Sequence, residues 1–489
     1  MFQWIQTCSS SHKGCQGVSK PQNLPTRVVE IQDAERVRLK ITTEDEVAMY
    51  TTLSHAWGNG NTVQTTKLTL PCYQDQIPWD HLPKTFQEAV QITFSLGLKY
   101  IWIDSLCIIQ DDDADWRKEG SRMAFIYSQS YLTIAATKST SSAGGCFSVS
   151  SPRYIGSRYD VKDSYGDGYT IHAHPQLKHD QYTEFPLLRR GWVFQERLLS
   201  PRILHFGPEE MLWECMSYWT CECNFWNDYS IVRKSKEWWR SKDYSTAVQW
   251  QKTVEEYSSK LLTFDADIFP ALQGVSKHLQ GHRNCAYYAG LWEDTILKDL
   301  LWFRWVPAIR AQAWRAPSWS WAAGKGSAAW ANMEGKFTPY FSVLEISTEP
   351  IGTDPLGGLK SGNLKLRGNC TTTIIQTEDN GSGFSLIPQP GKPRKGEMES
   401  PRLRLYMDYR ESWIPLAGVS LLLMKAARSQ PSYSKHGQYD FMVFRHLVST
   451  DTYERVGLAT LDRKTTWKKK RQFMYEFDRA AEEMTFTVL

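Results

Sequence analysis

The spacing of hydrophobic residues changes period several times in the first third of the chain. Apolar residues recur every three or four positions around Phe86 and Val90, with Pro83 before them and Gly97 after them, which is typical of a helix. Short continuous apolar runs are instead typical of strands that are covered on both faces. The pattern predicts strand, helix, strand, helix and strand at residues 48–58, 82–97, 100–103, 115–128 and 131–136.

This alternation predicts the fold class, because helices between strands act as crossover connections and give a mainly parallel sheet. Later the pattern is strand-like at residues 189–206 and 211–215, and mostly helical at 238–310. It is strand-like again from Phe337 onward, around a Gly/Pro/Ser-rich loop at about 377–402. The predicted domains are a polar N-terminal lead-in (1–48), an α/β domain (49–225), a helical connector (226–335) and a β-rich C-terminal domain (336–489).

Composition narrows the classes of protein to which the chain can belong. Of its 489 residues, 41% are hydrophobic and 22% are charged, which is ordinary for a globular protein. A formal net charge of +4 is too small to indicate a nucleic-acid partner, and acidic residues after the basic run at 468–471 favour a solvated helix face there. The 21 tryptophans predict either aromatic-rich packing or an aromatic-lined pocket.

Two features indicate where the protein is located. No segment has the roughly 20 consecutive apolar residues that are needed to span a bilayer. The first residues also lack the apolar core of a signal peptide. We therefore expect a cytoplasmic protein without a membrane span, whose ten cysteines are reduced.

The sequence predicts no metal site. Cys215, Cys221 and Cys223 lie close together after His205, but their spacing matches no common zinc pattern. The chain has neither a P-loop nor an HExxH motif, and the Gly-Asn-Gly turn at residues 58–60 is too short for a dinucleotide fingerprint. We expect no metal and no resident cofactor.

Four segments carry a resemblance to a known family. In chain order they are Tyr50 with LSHAWG at 53–58, YIWIDSLCIIQDD at 100–112 with its continuation to Tyr127, RGWVFQERLLS at 190–200, and APSWSWA at 316–322. Together these segments resemble the signature blocks of the heterokaryon-incompatibility (HET) domain proteins of filamentous fungi. The first three segments cover about residues 50–215.

The resemblance implies a function and a fold. HET domains are associated with non-self recognition between fungal strains and with the cell death that follows fusion. They are also distantly similar to TIR domains, which have a mainly parallel sheet, and several TIR domains cleave NAD at the nicotinamide–ribose bond. In such enzymes a helix-borne glutamate that follows a tryptophan supports catalysis. The matching residue here is Glu119, after Trp116.

The residues themselves suggest two catalytic carboxylates. Glu119 lies on the helical stripe that contains Met123 and Ile126, so its carboxylate either faces a cleft or has a partner such as Arg117 or Arg122. Asp104 ends a buried strand, at the edge of a parallel sheet where ligands bind. It would orient a ribose or stabilise positive charge, or it would only cap the following loop.

Further residues at the same edge are candidates for substrate binding. Adjacent residues on a strand point to opposite faces, so Ser54 and His55 are not expected to form a proton relay with Asp104. Cys107 is either a nucleophile or a small core residue, and the block at 190–200 either contributes hydrogen-bonding groups or fixes one domain on another. The candidates are Ser54, His55, Trp57, Cys107, Gln110, Trp116, Trp192, Gln195 and Glu196.

Three functions are compatible with the sequence. The first is a HET cell-death effector that binds or cleaves NAD in a polar crevice. The second is a HET-like scaffold that serves secondary metabolism as a cofactor-independent cyclase or pericyclase (a Diels–Alderase), which requires a closed aromatic pocket. The third is a non-enzymatic interaction protein in which Glu119 is salt-bridged. The expected partner is a small-molecule substrate or another allorecognition protein, and the sequence leaves oligomerisation open.

Overall fold

The structure is a computed structural model of the chain, and it divides into two compact units, Met1–Ser241 and Lys242–Leu489. It describes residues 1–15, 17–58, 63–154, 156–173, 175, 185–223, 236, 239, 244–331, 335–377, 384–388, 403–410, 419–430, 437–461 and 466–489. Asn59 and Gly60 of the predicted turn, and most of the predicted loop at 377–402, lie outside these residues.

The first unit is built from strands and helices that alternate over much of its length. Its strands are β1 (Gln22–Asn23), β2 (Arg27–Ile31), β3 (Val37–Ile41), β4 (Val47–Ala48), β5 (Thr51–Ser54), β6 (Tyr100–Trp102), β7 (Leu132–Ala135), β8 (Ser157–Lys162), β9 (Gly168–Ala173), β10 (Arg202–Phe206), β11 (Met211–Cys215) and β12 (Trp219–Cys221). Its helices are α1 (Phe2–Ser11), α2 (Leu70–Asp75), α3 (Lys84–Ser95), α4 (Asp104–Cys107), α5 (Asp113–Gln129) and α6 (Gly191–Leu199).

One sheet of eight strands organises this unit, in the order β12-β11-β10-β7-β5-β6-β2-β3. The four central strands, β10, β7, β5 and β6, are parallel. The β11–β12 and β2–β3 hairpins join this centre at its two edges through antiparallel pairs. The sheet is therefore mixed, and the prediction of a mainly parallel sheet holds only for its centre.

The N-terminal residues, which we described from the sequence as a polar lead-in, contribute to this sheet. Helix α1 and strands β2 and β3 lie within residues 1–48. Strand β2 is buried along most of its length, and β3 buries alternate residues. A five-residue strand with charged residues among its apolar ones carries little periodic signal, so its place in the sheet depends on its partner strands.

Residues 189–206 are a correction to the sequence-based prediction, which was strand-like throughout. Residues Gly191–Leu199 form helix α6, and only residues Arg202–Phe206 form a strand. Every residue from Val193 to Leu199 is buried. A helix that is buried all round has no one-sided apolar stripe, so its pattern resembles that of a buried strand.

The local signals elsewhere in this unit are confirmed. Helix α3 begins directly after Pro83, and Gly97 follows its end with a φ of +73°. Helix α5 begins after Asp112, whose carboxylate accepts hydrogen bonds from the backbone N–H groups of Ala114 and Asp115. Strands β6 and β7 lie where continuous apolar runs predicted them.

The second unit is rich in strands. They are β13 (Tyr287–Tyr288), β14 (Leu291–Trp292), β15 (Trp302–Phe303), β16 (Ile309–Arg310), β17 (Gly324–Lys325), β18 (Ala329–Trp330), β19 (Lys336–Pro339), β20 (Phe341–Pro350), β21 (Leu359–Thr377), β22 (Phe384–Pro388), β23 (Leu403–Met407), β24 (Ser420–Gln430), β25 (Gln438–Leu447), β26 (Thr452–Leu461) and β27 (Glu482–Val488). Its helices are α7 (Thr246–Tyr257), α8 (Gln273–Arg283), α9 (Ile296–Asp299) and α10 (Trp467–Ala480).

The β-rich C-terminal region that we predicted is present as a nine-stranded sheet formed by β19–β27. Strand β21 pairs with both β22 and β24, so that six strands, β21-β22-β23-β26-β25-β24, close into a ring. Helix α10 packs Phe473 and Phe477 into the apolar core of these strands. Of the basic run on α10, Lys468 and Arg471 are exposed and Lys469 and Lys470 are half-buried, as expected for a solvated helix face.

Many of the tryptophans pack in the cores of the two units. Trp302 donates its indole hydrogen to the carbonyl of Trp319, and Trp321 donates to the carbonyl of Gly290. Of the two explanations for the tryptophan content, the described residues support aromatic packing. The fully buried tryptophans include Trp102, Trp213, Trp250, Trp292, Trp302, Trp319 and Trp321.

Helices in the described ranges are all too short or too polar to cross a membrane.

Candidate functional site

The carboxyl ends of the central strands bring several candidate residues together. Strand β5 ends at Ser54, and the chain continues through His55 to Trp57. Its parallel neighbour β6 ends at Trp102, and Asp104 then opens the short helix α4. Ligands of open α/β sheets bind beyond these strand ends, so the topology favours a site here.

Asp104 is held in place by two hydrogen bonds and remains partly accessible. Its Oδ1 accepts the backbone N–H of Ser105 at 2.7 Å, and its Oδ2 accepts the indole N–H of Trp57 at 2.9 Å. His55 Nδ1 lies 3.7 Å from Oδ1, and 22% of the Asp104 side chain is exposed. Both oxygens are oriented, while one side of the carboxylate meets solvent.

His55 is neutral in this environment. Burial lowers the pKa of its imidazole, Asp104 raises it in part, and Arg190 lowers it further. The ring packs edge-on against Phe86, and its Nε2 has no hydrogen-bond partner among the described residues. The Ser54 hydroxyl donates to Glu196 instead of His55, so the residues do not form a Ser-His-Asp relay.

Glu196 is buried next to the end of β5, where it contacts Ser54. It accepts the Ser54 Oγ–H at 2.5 Å, and only 5% of the residue is exposed. Burial raises the pKa of Glu196 to about 7 and Asp104 adds to the increase, whereas Ser54, Arg190 and Tyr127 oppose it. This carboxyl group therefore changes charge near neutral pH.

Glu119 occupies the stripe that the sequence predicted. On α5 the buried residues are Glu119, Met123, Ile126 and Tyr127. Glu119 is 0% exposed, and neither carboxylate oxygen has a hydrogen-bond partner among the described residues. Arg122 Nη1 lies 3.9 Å from Oε1, a long ion pair. The carboxylate is thus enclosed by protein and does not line an open crevice.

Cys107 and Gln110 have structural contacts. Cys107 is 0% exposed, burial raises the pKa of its thiol to about 12, and its carbonyl accepts Arg27 Nε at 2.7 Å. The side chain is then a protonated core residue and not a nucleophile. The Gln110 amide donates to the carbonyls of Asp104 and Ile108, which stabilises the turn after α4.

The remaining candidates belong to the contact between α5 and α6. The rings of Trp116 and Trp192 meet edge to face with centroids 6.0 Å apart, and both side chains are half-buried. Gln195 is 1% exposed. The two tryptophans fix one helix on the other, beside the residues at the strand ends.

With this geometry established, comparison with known families decides the identity of the region. A family model described as heterokaryon incompatibility protein (HET) matches residues 50–196. This region is a HET domain. The match contains Asp104 and Glu119, and it ends at Glu196, whereas the fourth sequence block at 316–322 lies outside it. The chain has no significant match to a curated protein or to a solved structure.

Two residues of the HET domain were missed from the sequence. Tyr127 donates its hydroxyl to the carbonyl of Leu53 at 3.0 Å and lies beside Glu196. Arg190, half-buried at the start of α6, is close enough to lower the pKa values of both His55 and Glu196. Both residues belong to blocks that carried the resemblance, but no spacing rule distinguishes them from neighbours that only pack.

A second buried cluster joins α6 to β10 and β11. Glu214 accepts Arg197 Nε at 2.9 Å, and His205 Nε2 lies 3.1 Å from the same oxygen. Lys236 adds a positive charge, and its Nζ donates to the carbonyl of Ser200 at 2.6 Å. Because all four side chains are buried, this cluster stabilises the contact of the HET domain with β10 and β11.

The raised pKa of Glu196 predicts a pH dependence of stability. Folded Glu196 holds its proton up to about pH 7, whereas its reference pKa is 4.5. Its favourable contribution is therefore complete below pH 4.5 and is lost as pH rises through 7. Glu196→Gln carries no charge at this position at any pH. Between pH 5 and pH 8 the free energy of unfolding of wild type should therefore fall by about 2–3 kcal/mol more than that of Glu196→Gln.

Urea unfolding at both pH values, followed by circular dichroism and tryptophan fluorescence, measures this difference. The control is Glu44→Gln, which removes an exposed carboxylate of the same unit and should follow wild type. Parallel pH profiles for wild type and Glu196→Gln would show that Glu196 ionises in the folded protein as it does in the unfolded chain.

Proposed function

We propose that this chain is a cytoplasmic effector of heterokaryon incompatibility whose HET domain cleaves NAD at the nicotinamide–ribose bond. The observation that supports the proposal best is Asp104, a carboxylate fixed by two hydrogen bonds and partly exposed where parallel strands end. Glu119 and Glu196 add two buried carboxyl groups to the same domain. Carboxylates are the groups that glycosidic-bond cleavage requires.

The chemistry needs negative charge close to the ribose. When the bond between ribose C1′ and the nicotinamide nitrogen breaks, the electron pair leaves with nicotinamide, which becomes neutral. Positive charge then develops on C1′, and a carboxylate opposite C1′ stabilises it. Water adds to C1′ and releases a proton to a carboxylate or to solvent, so that the products are nicotinamide, ADP-ribose and H⁺.

The accessibility of the carboxylates assigns their roles in this proposal. Asp104 faces the ribose, because its side chain reaches solvent while Trp57 and Ser105 orient it. Glu119 has no exposed surface, so it acts on the site through its charge and through the packing of α5. This order differs from the family-based expectation, in which Glu119 supports catalysis directly.

Positive charge for the diphosphate of NAD is available nearby. Arg190 is half-buried and directly precedes α6, and the first N–H groups of a helix attract phosphate. Its positive charge lowers the pKa values of both His55 and Glu196. The diphosphate would therefore lie on the α6 side of Asp104.

The alternative function, a cyclase or pericyclase of secondary metabolism, needs a closed aromatic pocket. A cavity in the second unit is lined by Trp330, Phe337 and Leu458 among others, but its volume is about 20 Å³, which is room for about one water molecule. The fully buried tryptophans pack in cores. This cavity is therefore too small to hold the substrate of a cyclase.

Nicotinamide release tests the proposal. Purified wild-type protein at high concentration should convert NAD to nicotinamide and ADP-ribose. Asp104→Asn should be slower by at least about 10²-fold, because the amide keeps the shape and loses the charge. Glu119→Gln should lower the rate by a smaller factor. Chromatography of both products measures the rates, and thermal melting verifies that each variant is folded.

The matched control is Asp113→Asn. Asp113 is on the same helix as Glu119, but its side chain is 96% exposed, and its removal should leave the rate unchanged. Wild-type protein that consumes no NAD even when artificially clustered would exclude the nucleosidase. Equal rates for wild type and Asp104→Asn would exclude Asp104 as the carboxylate that faces the ribose.

A further inference from the structure

Four potential metal ligands meet at a point outside the HET domain. The Sγ atoms of Cys8, Cys15 and Cys215 and a ring nitrogen of His12 all lie within 4.8 Å of one another. The three cysteines are buried and His12 is half-buried. His12 Nδ1 is 3.3 Å from Cys215 Sγ, and none of the three cysteines is in a disulfide.

These ligands come from two distant parts of the chain. Cys8 is on α1, His12 follows one helical turn later at the end of α1, and Cys15 ends the next short turn. Cys215 is the last residue of β11. From the sequence we had grouped Cys215 with Cys221 and Cys223 and predicted no metal. The structure instead places Cys215 with the N-terminal residues, about 200 positions away.

The size of the cluster suits a tetrahedral zinc ion. Zinc binds sulfur at about 2.3 Å and nitrogen at about 2.0 Å, so ligand atoms around it are roughly 3.5–3.8 Å apart. Small rotations of the four side chains convert a cluster within 4.8 Å into that arrangement. Three cysteines with one histidine are a common ligand set of structural zinc sites.

Arg202 provides a second, independent argument. Its side chain is buried, and its hydrogen bonds within the described residues, including those to Ser19 Oγ and the Tyr131 carbonyl, involve no carboxylate. Its Nε donates to Cys8 Sγ at 3.3 Å, and its Nη2 donates to the carbonyl of Cys15 at 3.0 Å. A buried guanidinium without a counterion is costly. Zinc with three thiolates and a neutral histidine carries a charge of −1, which balances Arg202.

Hydrogen bonds to the sulfur atoms also favour metal-bound thiolates at this cluster. Besides Arg202, the backbone N–H of Ser217 donates to Cys215 Sγ at 3.4 Å. Metal-bound thiolates accept such N–H bonds, which orient the ligands. Three neutral thiols packed as small apolar residues would not need a charged donor beside them.

We propose that Cys8, His12, Cys15 and Cys215 bind one structural zinc ion. The ion connects the first 15 residues to the end of β11 and thereby closes a loop of about 200 residues, so its binding free energy stabilises the first unit. The site has four protein ligands and no open position, which makes it structural and not catalytic.

Zinc content tests the proposal directly. The full chain is produced with zinc in the medium and purified with a reductant and without chelators. Elemental mass spectrometry should then find one zinc ion per protein molecule. Cys15→Ser and Cys215→Ser should lose that zinc. Cys370→Ser is the matched control, because Cys370 is also buried but lies in the second unit, and it should keep the full zinc content.

Cobalt substitution tests the same site in the wild-type chain, in case the serine variants do not fold. Cobalt(II) should give the d–d bands of tetrahedral geometry and a charge-transfer intensity that corresponds to three thiolates. A second group of possible ligands, Glu210, Cys221 and Cys223, has only two thiolates, so its charge-transfer intensity would be lower than that of the proposed site. Protein without zinc, zinc that stays in Cys215→Ser, or a native disulfide among the three cysteines would overturn the proposal. None of these readouts depends on NAD cleavage.

Discussion

Replacement of Arg455 by alanine should lower the free energy of unfolding of the second unit by about 3–5 kcal/mol. Arg455 and Asp408 are both 0% exposed, with Nε 3.2 Å from Oδ2. The guanidinium also donates to the carbonyls of Leu300 and Trp302 and lies 3.8 Å from the centre of the Trp302 ring. Alanine would leave a buried carboxylate without its positive partner and two buried carbonyls without their hydrogen-bond donor.

The neighbouring ion pair provides the control. Arg310 forms an ion pair with Glu454, the residue before Arg455. The Arg310 side chain is 40% exposed, and Glu454 has a second partner in Arg445. Arg310→Ala should therefore cost less than about 1 kcal/mol. Urea unfolding of both variants at pH 7.5 measures the difference. A loss below 1 kcal/mol for Arg455→Ala would show that water or a rearrangement compensates the buried Asp408.

Glu214→Gln is expected to have an effect of similar size in the first unit. Burial alone would raise the pKa of Glu214, but Arg197, Lys236 and His205 lower it to about 2. Glutamine keeps the volume and removes the charge that holds two buried cations. We therefore expect a loss of about 3–5 kcal/mol at pH 7.

The pH dependence adds a second readout for this variant. A carboxylate whose pKa is lowered stabilises the protein above its reference pKa of 4.5, and the contribution is lost as pH falls towards 2. The difference between wild type and Glu214→Gln should therefore shrink as the pH is lowered below 4.5. Glu222→Gln, which alters an exposed carboxylate after β12, should remain within about 0.5 kcal/mol of wild type. A constant difference at all pH values would contradict the assigned charge of Glu214.

The burial of Glu119 changes the catalytic role that the family resemblance implies for this residue. From the sequence its carboxylate either faces a cleft or has a partner such as Arg122, and the structure places Glu119 on the predicted stripe of α5 with Arg122 at 3.9 Å. The enclosed side chain, however, makes Asp104 the accessible carboxylate of the pair. Comparison of Asp104→Asn with Glu119→Gln therefore tests which of the two residues acts on the ribose and which acts through the fold.

Much of the fold at the site was predictable because its signals are local. Pro83 and Gly97 delimit α3, the apolar runs mark β6 and β7, and Asp104 lies two positions after the last residue of β6. Helix α6 and strands β2 and β3 were not predictable in the same way. Their sequences are either buried on all sides or too short for a period to be visible, so only their partners determine what they become.

The sequence by itself determined the HET resemblance, the alternation of strands and helices, and the positions of Asp104 after a buried strand and of Glu119 on a helical stripe. These features depend on residue types and on spacings of a few positions. Only the tertiary structure decided which carboxylate is accessible, that Ser54 binds Glu196, and that Cys215 meets Cys8 and Cys15. The physical reason is that burial and electrostatic partners arise from contacts between distant segments, and no local pattern encodes the distance between two such segments.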